Sequence, residues 1–272
     1  MQKLSVVLIT LNEERNIDRC LGSVRWADEI IVVDSFSRDA TLDRARRYTE
    51  KIYQHEYPGS TRQMEIGIGY AAGPWILFVD ADEEVSAELS QEIRDVLRDG
   101  SPHAGYDILR KPWMFGKWIT HGGWFPDYQF RLFRKDSYTV NHEEVHGGFS
   151  THGSRGKLNG CVFHYTYENL YGYVSRMNEY TSLQVSNKLK ARPDDMAHWY
   201  NLLLSPLSHF LRMFVSKQGY KDGFHGFVLS LLDATYSMLL YAKLWEYRMR
   251  QREGTSLPPI TNIELNKIKH LP

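Results

Sequence analysis

Two aspartates one residue apart, Asp80 and Asp82, close the apolar stretch WILFVDADEE. At positions i and i+2 of an extended chain they point to the same side. Hard carboxylate oxygens placed this way suit Mg2+ or Mn2+, which keep waters and share their shell with substrate phosphates. A metal held there would offset charge growing on a diphosphate leaving group. D-x-D alone also describes a solvated pair capping the next helix. What sharpens it is company: Asp34 ends the run EIIVVD, and Thr10-Leu11-Asn12-Glu13 follows the run LSVVLIT. Three acidic run ends on one edge would repel each other unless a cation or polar ligand lay among them.

A second pattern competes for attention. His142-Glu143-Glu144-Val145-His146 has the H-E-x-x-H form of a zinc protease. Such histidines must share one face of a helix. Here Thr-Val-Asn precedes the stretch, and Gly147-Gly148 would end a helix at once. No third zinc ligand with family spacing follows, so the match reads as coincidence.

The elements that must position these residues are legible as alternation. Apolar runs at 4–10, 29–34 and 75–80 have the unbroken character of buried parallel strands, with a weaker run at 51–57. Between them lie helical patterns. Ile17, Cys20, Leu21 and Val24 share one face, 41–48 forms another helix, Ser60 with Gln63 has capping-box spacing, and 86–99 is amphipathic. Strict strand–helix alternation predicts an α/β fold with a parallel sheet covered on both faces, whose ligands bind beyond the strands' carboxyl ends. After Gly100 the stretches YDILRK, YQFRLFRK and KLNGCVFHY predict a mixed second half of the sheet. Three helical segments follow, near 168–191, 195–216 and 221–250. With 33 basic and 33 acidic side chains, the chain is not a generally basic nucleic-acid binder. Two cysteines make no disulfide framework, and the N-terminus lacks a signal-peptide cleavage pattern. A cytoplasmic protein, or one on the cytoplasmic face of the inner membrane, is expected.

In order and spacing, VVLITLNEERNIDRCLGSV, EIIVVDSFSRDAT and AAGPWILFVDADEEV resemble the nucleotide-sugar half of the family 2 inverting glycosyltransferases. GGWFPDYQFRLFRK, EEVHGG and LNGCVFHYTYENLYGYVSRMNEYT resemble the branch that adds glucose or a related hexose to the inner core of lipopolysaccharide and lipooligosaccharide. The resemblance implies a GT-A, Rossmann-like fold and a nucleotide diphosphate sugar donor, UDP-sugar favoured. It implies a glycolipid or oligosaccharide acceptor and Mg2+ or Mn2+. Thr10, Asn12, Glu13, Asp34, Arg62 and Asp80 would then serve the nucleotide, and Asp82 with Asp80 the metal. The Gly-Ser common in the family after the second-strand aspartate is Phe36-Ser37 here, which bears on base preference. Inverting transfer needs a carboxylate to take the acceptor hydroxyl's proton. The candidates in order are Glu144, Glu143 and Asp127. The acid that often follows Val-His in related chains is Gly147 here.

Trp124 and Phe125 sit among glycines in a loop suited to stacking on an acceptor sugar, and Arg131 and Arg134 could reach phosphates. The C-terminal helices carry apolar faces flanked by aromatics and bases, which fits a membrane-interface contact or a homo-oligomer interface; Asp233 argues against a span. Residues 1–166 are expected to form the catalytic domain, 167–252 a helical region and 253–272 a tail. Two rivals remain: a nucleotide-sugar-binding scaffold without catalysis, kept open by Gly147, and a metal-dependent phosphohydrolase using Asp80.

Overall fold

The computed structural model describes residues 2–141, 148–191 and 198–254. The chain forms two compact units, one of residues 1–112 with 126–166 and one of 113–125 with 167–272.

In chain order the elements begin β1 (Leu4–Thr10), α1 (Ile17–Ser23), β2 (Glu29–Asp34), α2 (Thr41–Ala45), β3 (Ile52–Gln54), α3 (Ser60–Tyr70) and β4 (Trp75–Asp80). Next come β5 (Glu83–Val85), α4 (Ala87–Asp99), β6 (Gly105–Met114), β7 (Lys117–Trp118), β8 (Asp127–Arg134), β9 (Tyr138–Asn141), β10 (Gly148–Thr151) and β11 (Arg155–Tyr167). The chain then turns helical in α5 (Leu170–Ala191), α6 (Asn201–Leu211) and α7 (Phe224–Arg252).

The main sheet of the first unit runs β3-β2-β1-β4-β8-β6-β11-β5; β7 pairs with Trp113 and Met114 at the end of β6, within the second unit. Its first half is parallel, with β1 between β2 and β4. Its second half is antiparallel from β8 onward in the pairings of β8 with β4 and β6, and of β11 with β5. The expected α/β architecture with a parallel nucleotide half is therefore present.

Period-two alternation explains why the central strands read as continuous apolar runs. Val6, Leu8, Val32, Leu77 and Val79 face α1 and α4, burying Ile17, Cys20, Leu21, Leu89 and Ile93. Val7, Ile31, Val33, Ile76 and Phe78 face the other way and pack with Ile68 of α3 and Phe133 of β8. At Gly67 a Cβ would collide with the Val7 side chain, so α3 approaches β1 only because that residue is glycine. Ser86 caps α4 by accepting from the Leu89 N–H at 3.1 Å. The capping box expected at Ser60 does not form: Gly59 precedes the helix and Gln63 turns inward instead.

The second unit buries Met114, Ile119, Tyr173, Met177 and Leu229 together. Buried Asp222 accepts from the Thr120 and His121 N–H groups at 3.1 and 2.8 Å, anchoring the loop that precedes Gly122 and Gly123. Trp124, expected as an exposed stacking residue, packs against this core instead. Among the described residues α7 alone has the length and apolar composition to cross a bilayer. Asp233 lies within it, 2.9 Å from His209 Nδ1 of α6.

Candidate functional site

The carboxyl ends of β1, β2 and β4 lie level, because Thr10 pairs with Asp34 and Ile9 with Asp80. Parallel pairing thus brings three segments far apart in sequence to one edge, as expected for an open α/β sheet.

Asp34 is fully buried. Its carboxylate accepts from the Ser37 hydroxyl, from the Ser37 N–H at 2.9 Å and from Gln54 Nε2 at 3.1 Å. It therefore shapes the loop after β2. Ser37 Oγ in turn accepts from the Asn12 N–H at 2.8 Å, and Asn12 Oδ1 accepts from the Arg38 N–H at 2.8 Å. The Glu13 N–H donates to Thr41 Oγ1 at 2.7 Å, and its carboxylate accepts from Asn16 Nδ2 at 2.8 Å. Asn12, Glu13 and Asp34 thus lace two loops together. Within them Phe36 takes a left-handed backbone, φ 63°, with half its surface exposed. That conformation is costly for a bulky residue and free for glycine.

Two buried polar atoms on this edge have no hydrogen-bond partner among the described residues: Thr10 Oγ1 and Gln63 Oε1. Gln63 is wholly buried, and its Nε2 reaches Ser35 Oγ at 3.1 Å. Unpaired buried acceptors and hydroxyls cost free energy, so such atoms point to an external partner. Arg62, one residue earlier, is exposed and pairs with Glu65 at 3.0 Å.

The two aspartates of the D-x-D pair take different partners. Asp80 ends β4, but Ala81 and Asp82 form a turn rather than extended chain, so the same-side geometry does not arise. Asp80 Oδ2 accepts from Arg131 Nη2 at 2.6 Å, and its N–H donates to Glu83 Oε2 at 3.0 Å. Arg131 also reaches Glu83 Oε1 at 3.3 Å and lies 5.0 Å over the Phe78 ring. Burial disfavours the Arg131 charge, yet Asp80 and Glu83 more than offset it and raise its pKa. Burial raises the pKa of Glu83 in turn, with Arg131 opposing. Arg131 is thus committed to carboxylates.

Asp82 faces elsewhere. Antiparallel pairing sets Glu83 opposite His164, and the Tyr165 N–H donates to the Asp82 carbonyl at 3.0 Å. His164 Nε2 thereby comes to 3.3 Å from Asp82 Oδ2, while its Nδ1 lies 3.0 Å from Thr166 Oγ1. Nearby, the Tyr165 hydroxyl donates to Glu84 Oε2 at 2.8 Å beneath the Arg19 guanidinium. Among the described residues no three His, Cys, Asp or Glu side chains form a ready metal cage. A carboxylate and an imidazole this close are of the donor types that can contribute to a cation shell completed by waters and phosphate oxygens.

Asp127 faces Arg110 across the β6–β8 pair and accepts from its Nε at 2.7 Å; its other oxygen takes Gln129 Nε2 at 2.6 Å. Glu143 and Glu144 lie outside the described residues, as does the whole H-E-x-x-H stretch. Sequence reasoning noticed Gln63 only as a capping residue, gave Glu83 no role of its own among the acids that end the WILFVDADEE stretch, and missed His164. The contact of His164 with Asp82 spans 82 residues and leaves no local periodic signal.

The family model described as glycosyl transferase family 2 matches residues 5–150. A lipopolysaccharide core biosynthesis glycosyltransferase, LpsC of Rhizobium meliloti, is 25% identical over 253 residues, covering 89% of this chain and 92% of that protein. An uncharacterized glycosyltransferase of Rickettsia typhi is 28% identical over 93% of this chain and 90% of its own. Among solved structures, TarS 1–349 of S. aureus in complex with UDP-GlcNAc aligns over 93% of this chain and 92% of its own, at 16% identity and a TM-score of 0.44.

Proposed function

The chain belongs to glycosyl transferase family 2, and from that footing we propose that it moves a hexose, glucose first among the candidates, from a UDP-sugar to a saccharide acceptor with inversion. The acceptor class we propose is lipopolysaccharide core or a related cell-surface glycan, presented as a glycolipid at the cytoplasmic face of the inner membrane. The relative whose name carries lipopolysaccharide core biosynthesis supports this class. The observation that carries the chemistry is the approach of Asp82 to His164 at 3.3 Å, on the sheet edge that also holds the unpartnered Thr10 hydroxyl.

Asp82 and His164 would hold the cation, Mn2+ in preference to Mg2+, since an imidazole suits a transition metal better than it suits Mg2+. When bound, the cation offsets charge on the leaving diphosphate. Thr10 Oγ1 and Gln63 Oε1 supply a hydroxyl and an acceptor toward the nucleoside. Asn12, Glu13 and Asp34 hold the loops that frame it, and Arg62 is exposed and free to swing from Glu65 toward a phosphate. Asp80 acts through Arg131, keeping the β4–β5 turn in place.

In the transfer itself, an acceptor hydroxyl oxygen bonds to the anomeric carbon as the bond to the diphosphate oxygen breaks. The hydroxyl proton passes to a carboxylate, Glu144 first and Glu143 second. Asp127 stands behind them because Arg110 already claims it. The domain reading follows: residues 1–166 carry the chemistry apart from 113–125, which fold with the helical unit of 167–252.

Family membership sets aside the phosphohydrolase reading. The test is nucleotide release from UDP-, GDP- and ADP-sugars with and without Mn2+ or Mg2+, for the native chain and Asp82→Ala, alongside calorimetric donor binding. Metal-dependent release from one donor, lost in the variant, supports the proposal. Failure to bind any donor with metal present would overturn it. Binding without release, unchanged when Glu143 and Glu144 are both replaced by Gln, would favour the scaffold reading.

A further inference from the structure

Helix α6 is amphipathic the wrong way round for a helix at a water-exposed surface. Ser205 Oγ meets Ser237 Oγ of α7 at 2.7 Å, and His209 Nδ1 meets Asp233 Oδ2 at 2.9 Å, so polar side chains point inward. No residue of α6 is buried. Outward, Leu203, Leu204, Leu207 and Leu211 are 49% to 63% exposed, and Val215 in the following turn is 55% exposed. Their spacing of three and four residues makes one stripe. Phe224, at the start of α7, is 77% exposed, and Trp199, just before α6, is 75% exposed. A contiguous apolar surface of this kind marks a docking site rather than ordinary scatter.

The charges say what docks. Arg212, Lys217 and Lys221 are exposed at the far end of the stripe. Between residues 198 and 232 the single acidic side chain is Asp222, which is buried and bonded to the loop at Thr120 and His121. The surface is therefore leucine-rich, edged by aromatics at both ends and basic at its far end, where Arg212 lies 4.0 Å from Asp233 of α7 and Lys217 and Lys221 are exposed. Aromatics with bases flanking an apolar helical face match the headgroup boundary of an anionic bilayer. A self-complementary interface would instead need exposed acids to meet those bases; among the described residues the nearby acid, Asp233 of α7, is turned inward to His209 and already neighbours Arg212.

We propose that α6 lies in the plane of an anionic phospholipid bilayer, with Leu203, Leu207, Leu211 and Phe224 in the acyl boundary and Arg212, Lys217 and Lys221 on headgroup phosphates. The inference extends the glycolipid-acceptor reading above, but its test needs neither acceptor nor catalysis.

Flotation of the full chain with vesicles of neutral phosphatidylcholine, and of the same lipid with about 30% anionic phosphatidylglycerol, reads it directly. The native chain floats with the anionic vesicles. Leu203→Glu with Leu207→Glu lowers the bound fraction about tenfold or more, and Lys217→Glu with Lys221→Glu lowers it to the level on neutral lipid. Donor-nucleotide affinity and melting temperature stay unchanged in both variants, separating this outcome from failure of the site or of folding. Equal flotation of native and leucine variants would overturn the proposal, as would a native chain that stays in the buffer. A lipid-free dimer by light scattering that the leucine variant splits would also overturn it and make the face an interface between copies.

Discussion

Asp82 Oδ2 lies 3.3 Å from His164 Nε2, joining a β4–β5 turn to a strand that follows 82 residues later. A carboxylate and an imidazole at that distance can share one cation, and removing either leaves the other a weak ligand. Asp82→Ala and His164→Ala are each expected to lower metal-supported transfer about 100-fold. His164→Ala should also raise the Mn2+ concentration needed for half-maximal rate. A titration of turnover against Mn2+ checks both; an unchanged metal requirement in His164→Ala would remove it from the site.

Arg131 sits between Asp80 and Glu83 with little solvent contact, so its loss strands two carboxylates. Arg131→Met is expected to destabilise the fold by about 3–5 kcal/mol, the usual cost of breaking a buried pair from one side. Urea unfolding would read this. A loss below about 1 kcal/mol would mean that the carboxylates find water or another partner.

Glu29 links elements through acid–base chemistry. Burial opposes its charge, but bonds from Lys51, from the Ser5 hydroxyl and from the Ala72 N–H lower its pKa below the ordinary 4.5. A carboxylate depressed by folding contributes stability above its unfolded pKa, and that stability is lost as pH falls through the folded value. The urea midpoint of the native chain should therefore drop as pH falls below about 4.5. In Glu29→Gln the curve starts lower at pH 7 and falls less steeply. Parallel curves for the two proteins would contradict this.

Phe36 is held in left-handed backbone, φ 63°, while exposing its ring beside the loops laced by Asn12 and Asp34. That conformation costs about 1–2 kcal/mol for an L-residue, and glycine returns about 0.5–1 kcal/mol of this as lost chain entropy. Phe36→Gly is expected to stabilise the fold by about 0.5–1 kcal/mol. If the ring rests on the donor base, the same change weakens UDP binding severalfold. Calorimetry beside urea unfolding separates the two effects.

Glu144→Gln should reduce turnover about 100-fold or more with donor affinity intact, as loss of a general base does. Asp127→Asn, by contrast, disturbs the Arg110 pair and leaves turnover within a few-fold. The reverse ranking in single-turnover rates would make Asp127 the base.

The nucleotide half was legible in the chain because its physics is local. Runs such as 29–34 and 75–80 are apolar throughout, since helices cover both sheet faces, and the polar residues that stop them mark the edge where ligands bind. Thr10, Asp34 and Asp80 could be placed there from sequence alone. Their individual partners could not. Whether a carboxylate meets a cation, an arginine or a backbone N–H depends on antiparallel pairings across long loops and on turns that break strand periodicity. Asp82 thus leaves Asp80 for His164, and Gln63 turns inward where Arg62 was expected to matter. The same holds for α6: its sequence shows that leucines are present, and only its packing on α7 shows that they face outward. Sequence patterning fixes which residues share an element's face. Tertiary packing chooses which face is inside and which distant groups meet, because that choice is made by contacts between elements rather than along them.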